Sequence, residues 1–226
     1  MSPAAALPFR DRHEAGRHLA LRLLPHANRR HTTVLALPRG GVPVAYEVAV
    51  VLQVPLDVFL VRKLGVPGHP ELAMGAIASG GIRVINDRIV RELGVTQADL
   101  DRVAAMQAIE IARQETAFRG EQPPLNLAGR TVVLVDDGLA TGASMRAAAE
   151  AVRAQHPARV IVAVPVAARE TYEEFQRLVD EVACVATPEP FHAVGMWYED
   201  FSQTSDEEVR SLLDRGARSQ RTSRST

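Results

Sequence analysis

The 226 residues suffice for one substantial core and would be cramped as two full domains, so a single domain with a small appendage is expected. An apolar fraction of 46% is ordinary for a globular chain, and a net charge of -1 supplies no global field for nucleic acid or an acidic membrane surface. Lysine occurs once among the 26 basic residues, at Lys63. That position either needs a compact ammonium or is a survivor of an arginine-rich composition.

Residues 1–8 carry no pattern and are expected to be disordered. The opening MSPAAALP has no basic stretch leading into an apolar run, and the most apolar region, 42–61, is interrupted by Glu47, Asp57 and two prolines. A cytoplasmic location is the expectation. Apolar residues at helical spacing predict an amphipathic helix over 10–24. The β-rich runs TTVLALP and LDVFLVRK are joined by VPVAYEVAVVLQ, which has the length of a crossover helix and makes a β-α-β unit. ELAMGAIAS and IRVIN are separated only by Gly80 and Gly81, a hairpin signal. A long helix is predicted over 96–120, with Thr96 as N-cap and Asp99 three residues on.

Strand 131–135, helix 142–155, strand 159–166, helix 168–179 and strand 181–186 then alternate. Nearly continuous apolar strands between helices imply an α/β fold, a doubly wound, mostly parallel sheet with helices on both faces. TPEPFHAVGMWYEDF is aromatic-rich and irregular, SDEEVRSLL is a short helix opened by a Ser205–Glu208 capping box, and the polar tail 216–226 is expected to be disordered. One domain over 9–215 accounts for the whole pattern. Cys184, the only cysteine, lies in the apolar run EVACVA, which favours a buried inert thiol over a nucleophile.

Several chemistries lose ground. HEAGRH at 13–18 places its histidines five apart, where a zinc-protease helix needs four. Five residues rotate by roughly 140° about the axis, so the imidazoles diverge. There is no Gly-x-x-x-x-Gly-Lys phosphate loop and no Gly-x-Ser-x-Gly elbow.

What remains is VVLVDDGLATGAS at 132–144. In a parallel sheet ligands bind beyond the carboxyl ends of strands, which is where Asp136 and Asp137 fall. Ala140, Thr141, Gly142, Ala143 and Ser144 then turn into a helix, whose unpaired N–H groups and hydroxyls suit a phosphate. The two acids suit sugar hydroxyls, a metal ion or a developing positive charge. Phosphate on one side and hydroxyls or a cationic carbon on the other describes a ribose 5-phosphate. The alternative is an ordinary strand-to-helix turn with Asp136 as a cap.

This stretch resembles the phosphoribosyl pyrophosphate signature of the type I phosphoribosyltransferases, with Gly138 where a branched aliphatic is customary. The resemblance covers roughly residues 30–200 in element order. It implies that Asp136 and Asp137 meet the ribose hydroxyls and that residues 140–144 hold the 5-phosphate. It also implies that Arg39, Gly40 and Gly41 in LPRGG form the pyrophosphate loop, in which a non-proline cis peptide is expected near Arg39. VRK followed by LGVPGHPELAMGAIASGG is similar to the family's mobile lid, and Arg62 and Lys63 would then neutralise the leaving pyrophosphate. His69 and Glu71 on that lid are candidates for proton handling or simply its polar surface.

Residues 187–203 resemble the acceptor hood of the purine-salvage members. Phe191, Val194, Trp197 and Asp200 would read the base, although Pro190 stands where those members carry a lysine and the spacing from Gly195 to Asp200 is one residue long. A small aromatic cluster sealing the sheet edge is the other reading of this segment. The implied activity is Mg²⁺-dependent transfer of ribose 5-phosphate from phosphoribosyl pyrophosphate to a nitrogen acceptor, nucleobase or small amine, with release of pyrophosphate. Mg²⁺ would be held through the substrate and by Asp136 and Asp137. A homodimer is implied, and membrane or nucleic-acid partners are not. The alternatives are a regulator that binds phosphoribosyl pyrophosphate or a nucleotide without turnover, and a nucleotide-processing hydrolase.

Overall fold

The computed structural model describes residues 7–29, 31–120, 123 and 125–223. The first helix, α1, spans Arg12–Arg22, capped by the Asp11 carboxylate accepting from Glu14 N. Then come β1 Thr32–Ala36, α2 Gly41–Leu52 and β2 Leu56–Val58. A second group of strands follows, β3 Val61–Val66, β4 His69–Ala78 and β5 Ile82–Ile85. Helices α3 Asp87–Glu92 and α4 Gln97–Arg119 lead back to β6 Thr131–Val135, α5 Ala143–Arg153, β7 Arg159–Val166, α6 Arg169–Leu178 and β8 Glu181–Ala186. The last helix, α7, is Asp206–Ser223.

The main sheet is five-stranded and parallel, in the order β2-β1-β6-β7-β8. Its strands are buried on both faces, and alternation along them divides the core. Val34, Ala36, Val133 and Val135 pack with α1, α2, α4 and α7, whereas Leu35, Val132, Leu134 and Val162 pack with α5 and α6. Helices thus cover both faces, as the alternating sequence pattern implies. No helix among the described residues is long and apolar enough to cross a membrane.

Strand order reverses between β1 and β6. From β1 the chain winds outward to β2, and from β6 it winds the other way to β7 and β8. The loops leaving two neighbouring strands therefore diverge and open a crevice at their carboxyl ends. LPRGG leaves β1 and DDGLATG leaves β6.

The run LDVFLVRK is not one strand. Consecutive Phe59 and Leu60 are both buried, which breaks the two-residue alternation, and Leu60 N turns to Ser79 Oγ at 2.9 Å. The chain leaves the parallel sheet at Val58 and enters the antiparallel sheet β3-β4-β5 at Val61. Gly68, at φ 81°, turns β3 into β4, so the hairpin expected between ELAMGAIAS and IRVIN is extended by a third antiparallel strand.

The ends also differ from expectation. Leu7 packs against the cluster around Phe9, while residues 1–6 lie outside the described residues. At the other end α7 continues through 216–223 of the segment expected to be without structure, and 224–226 lie outside the described residues. Buried Val209, Leu212 and Leu213 anchor this helix, and Arg215 lies 4.7 Å over the Tyr46 ring, so elongation starts from a nucleus already formed.

Helix α4 is fixed at its C-terminal end by a buried ion pair. Arg119 Nε lies 3.2 Å from Asp57 Oδ1, and Nη2 donates to Val58 O at 3.0 Å. Both side chains are nearly sealed from solvent, and burial pushes the Asp57 pKa up against the pull of Arg119. Arg119→Met therefore leaves an uncompensated carboxylate. It is expected to cost about 3–5 kcal/mol in urea unfolding at pH 7. The Asp57→Asn/Arg119→Met double variant should recover most of that loss.

Candidate active site

The two loops at the crevice touch. The last rung between them is Leu37 N donating to Val135 O at 2.9 Å. Beyond it the Pro38–Arg39 peptide is cis, in the loop where the sequence reading looks for one. A Cβ on Gly41 would lie 2.7 Å from Val135 O and 2.9 Å from Asp136 Cα, and one on Gly40 would run into the Asp137 carboxylate. Only glycines allow the LPRGG backbone to approach the acid pair this closely.

Asp136 keeps part of its surface open, and its Oδ1 accepts from Asp137 N at 2.9 Å. Enclosure by protein pushes its pKa well above the usual carboxylate range, and the neighbouring Asp137 charge adds to the shift. Burial raises Asp137 as well, against the opposing pull of Arg12. Arg12 Nε lies 2.8 Å from Asp137 Oδ2, Nη1 donates to Ser202 O at 2.7 Å, and the guanidinium sits 3.9 Å from the Phe201 ring centroid. The Tyr198 hydroxyl donates to Asp137 O, and burial drives the pKa of that phenol far up. Sequence reasoning missed both residues. Arg12 occupies one position in an arginine-rich amphipathic helix, and only its burial, 11% side-chain exposure, sets it apart from its neighbours.

A cavity of about 540 Å³ opens beside Asp136, within the size range of small-molecule sites. Pro38, Arg62, Lys63, Asp136 and Ser144 line it, joined by Gln107 and Gln114 of α4. Three separate stretches singled out in the sequence, LPRGG, VRK and VVLVDDGLATGAS, thus meet at one space. Arg62 Nη2 is 3.2 Å from Glu110 Oε1, and Lys63 has no ion-pair partner among the described residues. Lys63 also lines a neighbouring cavity of about 520 Å³ with Ala143, Arg146 and Glu150. Ala140, Thr141 and Gly142 form the turn into α5, where Thr171 Oγ1 donates to Ala140 O and Gly142 adopts φ 70°. Arg39 does not line either cavity; its Nη1 lies 3.5 Å from Asp206 Oδ1 of α7.

Other selected residues lie apart from this wall. His69 and Glu71 stand at the start of β4, by the hairpin turn. Phe191, Val194 and Trp197 pack against Phe9, Val166 and Tyr198, the Phe191 and Trp197 rings being 6.2 Å apart. Asp200 is exposed and accepts from Ser202 N at 2.9 Å. Cys184 is half-buried among apolar neighbours, and burial pushes its thiol up to about 11.

Gly138 also finds its reason here. A Cβ at this position would meet Val194 Cγ2 at 2.8 Å and Cγ1 closer still. Val194 fills the space that an aliphatic on the loop would need. Gly138→Val is expected to lower stability by about 1–3 kcal/mol through overpacking. Adding Val194→Ala should restore most of it in the same thermal or urea unfolding assay.

The acid pair predicts a pH signature. Aspartate in an unfolded chain titrates near 3.8, while folded Asp136 titrates well above it. Between those values the folded chain holds a proton that the unfolded chain has released, so stability falls as pH rises through the window. Asp136→Asn removes this contribution. The variant should melt above the parent at pH 7, with the difference vanishing towards pH 4 in circular dichroism melts.

The chain is 50% identical over 210 residues to a Mycobacterium tuberculosis protein provisionally named as a phosphoribosyl transferase, known from two strains as MT0597 and Rv0571c. That match covers 93% of this chain and 47% of each relative, so the chain spans about half the length of the curated relatives it matches. The crystal structure of the protein TT1426 from Thermus thermophilus superposes with a TM-score of 0.82 at 45% identity, covering 92% of this chain and 98% of that one. The family model of the phosphoribosyl transferase domain matches residues 10–198, and the chain belongs to that family.

Proposed function

We propose that the chain transfers ribose 5-phosphate from phosphoribosyl pyrophosphate to a nitrogen acceptor, a nucleobase or small amine, and releases pyrophosphate. The observation that carries this reading is the single cavity shared by Pro38, Arg62, Lys63, Asp136 and Ser144. In it, Ser144 and the loop 140–143 hold the 5-phosphate at the N-terminus of α5. Arg39, Gly40 and Gly41 offer the backbone beside which the pyrophosphate lies. Arg62 and Lys63 neutralise its charge as it departs.

The C1–O bond of the ribose breaks ahead of attack. The carboxylates of Asp136 and Asp137 stabilise the positive charge that grows on the ring, and the nitrogen lone pair then closes on C1. Arg12 holds Asp137 in place from behind, and Asp136 faces the cavity. A raised Asp136 pKa suits this task, since a nearby positive charge draws the group into its ionised form.

The donor set also fits Mg²⁺, which favours one or two carboxylates together with phosphate oxygens and water over an all-protein cage. Bound there through the substrate, Mg²⁺ supplies neutralisation of pyrophosphate charge, with Asp136 and Asp137 as the residues that would hold it. Phe191, Val194, Trp197 and Asp200 are proposed to close the acceptor side as a hood. Exposed Met106 and Ile109 on the outer face of α4 support a homodimer, and a single cysteine, which allows no disulfide within the chain, suits a reducing, cytoplasmic setting.

The test is ³¹P NMR of phosphoribosyl pyrophosphate with the protein and Mg²⁺, alone and against purines, pyrimidines and small amines. Release of free pyrophosphate that depends on one acceptor is expected. Asp136→Asn should lower that rate by about 10²–10³ while leaving the fold intact. Binding shifts without release from any acceptor would favour the non-catalytic binding protein instead.

A further inference from the structure

The inward stripe of α4 is mixed. Leu100, Ala104, Ile111 and Phe118 are buried, and residues 107 and 114 complete the same series at spacings of three and four. At 100° per residue, Gln107 and Gln114 lie within roughly 40° of Leu100 around the axis. The other members of this stripe are buried apolar residues, whereas Gln107 and Gln114 are half-buried and hold their carboxamides where water or a ligand reaches them. Neither glutamine side chain makes a hydrogen bond to any described residue, and both face the cavity that holds Arg62, Lys63, Asp136 and Ser144.

Glu110 stands between them, on the same side of the helix. Its Oε1 is 3.2 Å from Arg62 Nη2, and both its oxygens accept from Arg113, at 2.7 and 3.0 Å. Glu110 therefore sets Arg62 against the stretch of α4 that carries the two carboxamides. It stays paired with Arg113 if Arg62 turns to another anion. A ligand drawn to this cavity by Arg62 and Lys63 is anionic, and the carboxamide N–H groups of Gln107 and Gln114 engage it if it accepts hydrogen bonds. Phosphoryl oxygens meet both requirements, and neutral N–H donors add bonds to them without adding a second cluster of charge.

We infer that Gln107 and Gln114 are ligand-binding residues that donate hydrogen bonds to the pyrophosphate group, making α4 a wall of the leaving-group site. The inference rests on the phosphoribosyl pyrophosphate reading above and adds a helix that the sequence motifs do not reach.

The test is isothermal titration of the wild type with inorganic pyrophosphate and, separately, with ribose 5-phosphate, both with Mg²⁺. It is repeated on Gln107→Leu and Gln114→Leu, which suit an inward helix position, and on the alanine variants, which leave the space open. Each of the four substitutions is expected to weaken pyrophosphate binding about tenfold and to leave ribose 5-phosphate affinity within about twofold. The leucine variants should melt no lower than the wild type. Unchanged pyrophosphate affinity in the variants overturns the assignment, and so does a parallel loss for both ligands, which would make the glutamines structural. A wild type that binds neither ligand would fell the phosphoribosyl reading itself, and this inference with it.

Discussion

Everything at the proposed site depends on how closely two neighbouring parallel strands release their chains. β1 and β6 run side by side, and at their carboxyl ends the Gly40-Gly41 backbone lies against Asp136 and Asp137 with no room for a Cβ. A parallel sheet that winds in opposite directions from this pair cannot fill the crevice with its own crossover helices. The acid pair thus stands at the edge of the core, enclosed by protein yet facing open space. That placement explains why its carboxylates titrate high and why they respond to whatever charge enters.

Holding two adjacent acids in such a place opposes folding, and the chain offsets it from one side only. Arg12 pairs with Asp137, stacks on Phe201 and reaches the backbone of Ser202, while Tyr198 bonds to the Asp137 carbonyl. These contacts tie α1 and the aromatic segment to the loop after β6. Among the described residues Asp136 has no cation of its own. A local rule of stability is broken at one carboxylate and satisfied at its neighbour, and such a break points to a functional group more than to a structural one.

The fold was largely legible because its strands are buried on both faces and therefore read as apolar runs bounded by loops. β7 and β8 begin and end where the sequence places them, since Arg159 and Glu181 open them and the apolar run stops with the strand. LDVFLVRK misled for the same reason, because an unbroken apolar run does not reveal that the chain changes sheets at Phe59 and Leu60. The acid pair, Arg62, Lys63 and Ser144 were visible as short motifs. Arg12 was not, because its meaning lies in a partner 125 residues away in a chain where arginine is commonplace. Gly138 looked like a defect in its motif until Val194 was seen to occupy the space above it.

Helix α4 illustrates a different kind of illegibility. Its length, cap and amphipathic pattern are plain, yet nothing local says which wall of which cavity it forms. Two glutamines in an otherwise apolar stripe look like tolerated noise in a helix of 23 residues. Their significance depends on tertiary facts: the chain leaves the main sheet after β2, β3 carries Arg62 across to Glu110, and the Arg119–Asp57 pair pins the far end of the helix to β2. With both ends of that arrangement fixed, the positions that would be apolar in a solid core open onto a cavity instead. A polar residue there costs little in water and gains a partner only when a ligand arrives. In such a helix the residues that contradict the hydrophobic pattern carry the information about binding, and the residues that obey it carry the fold.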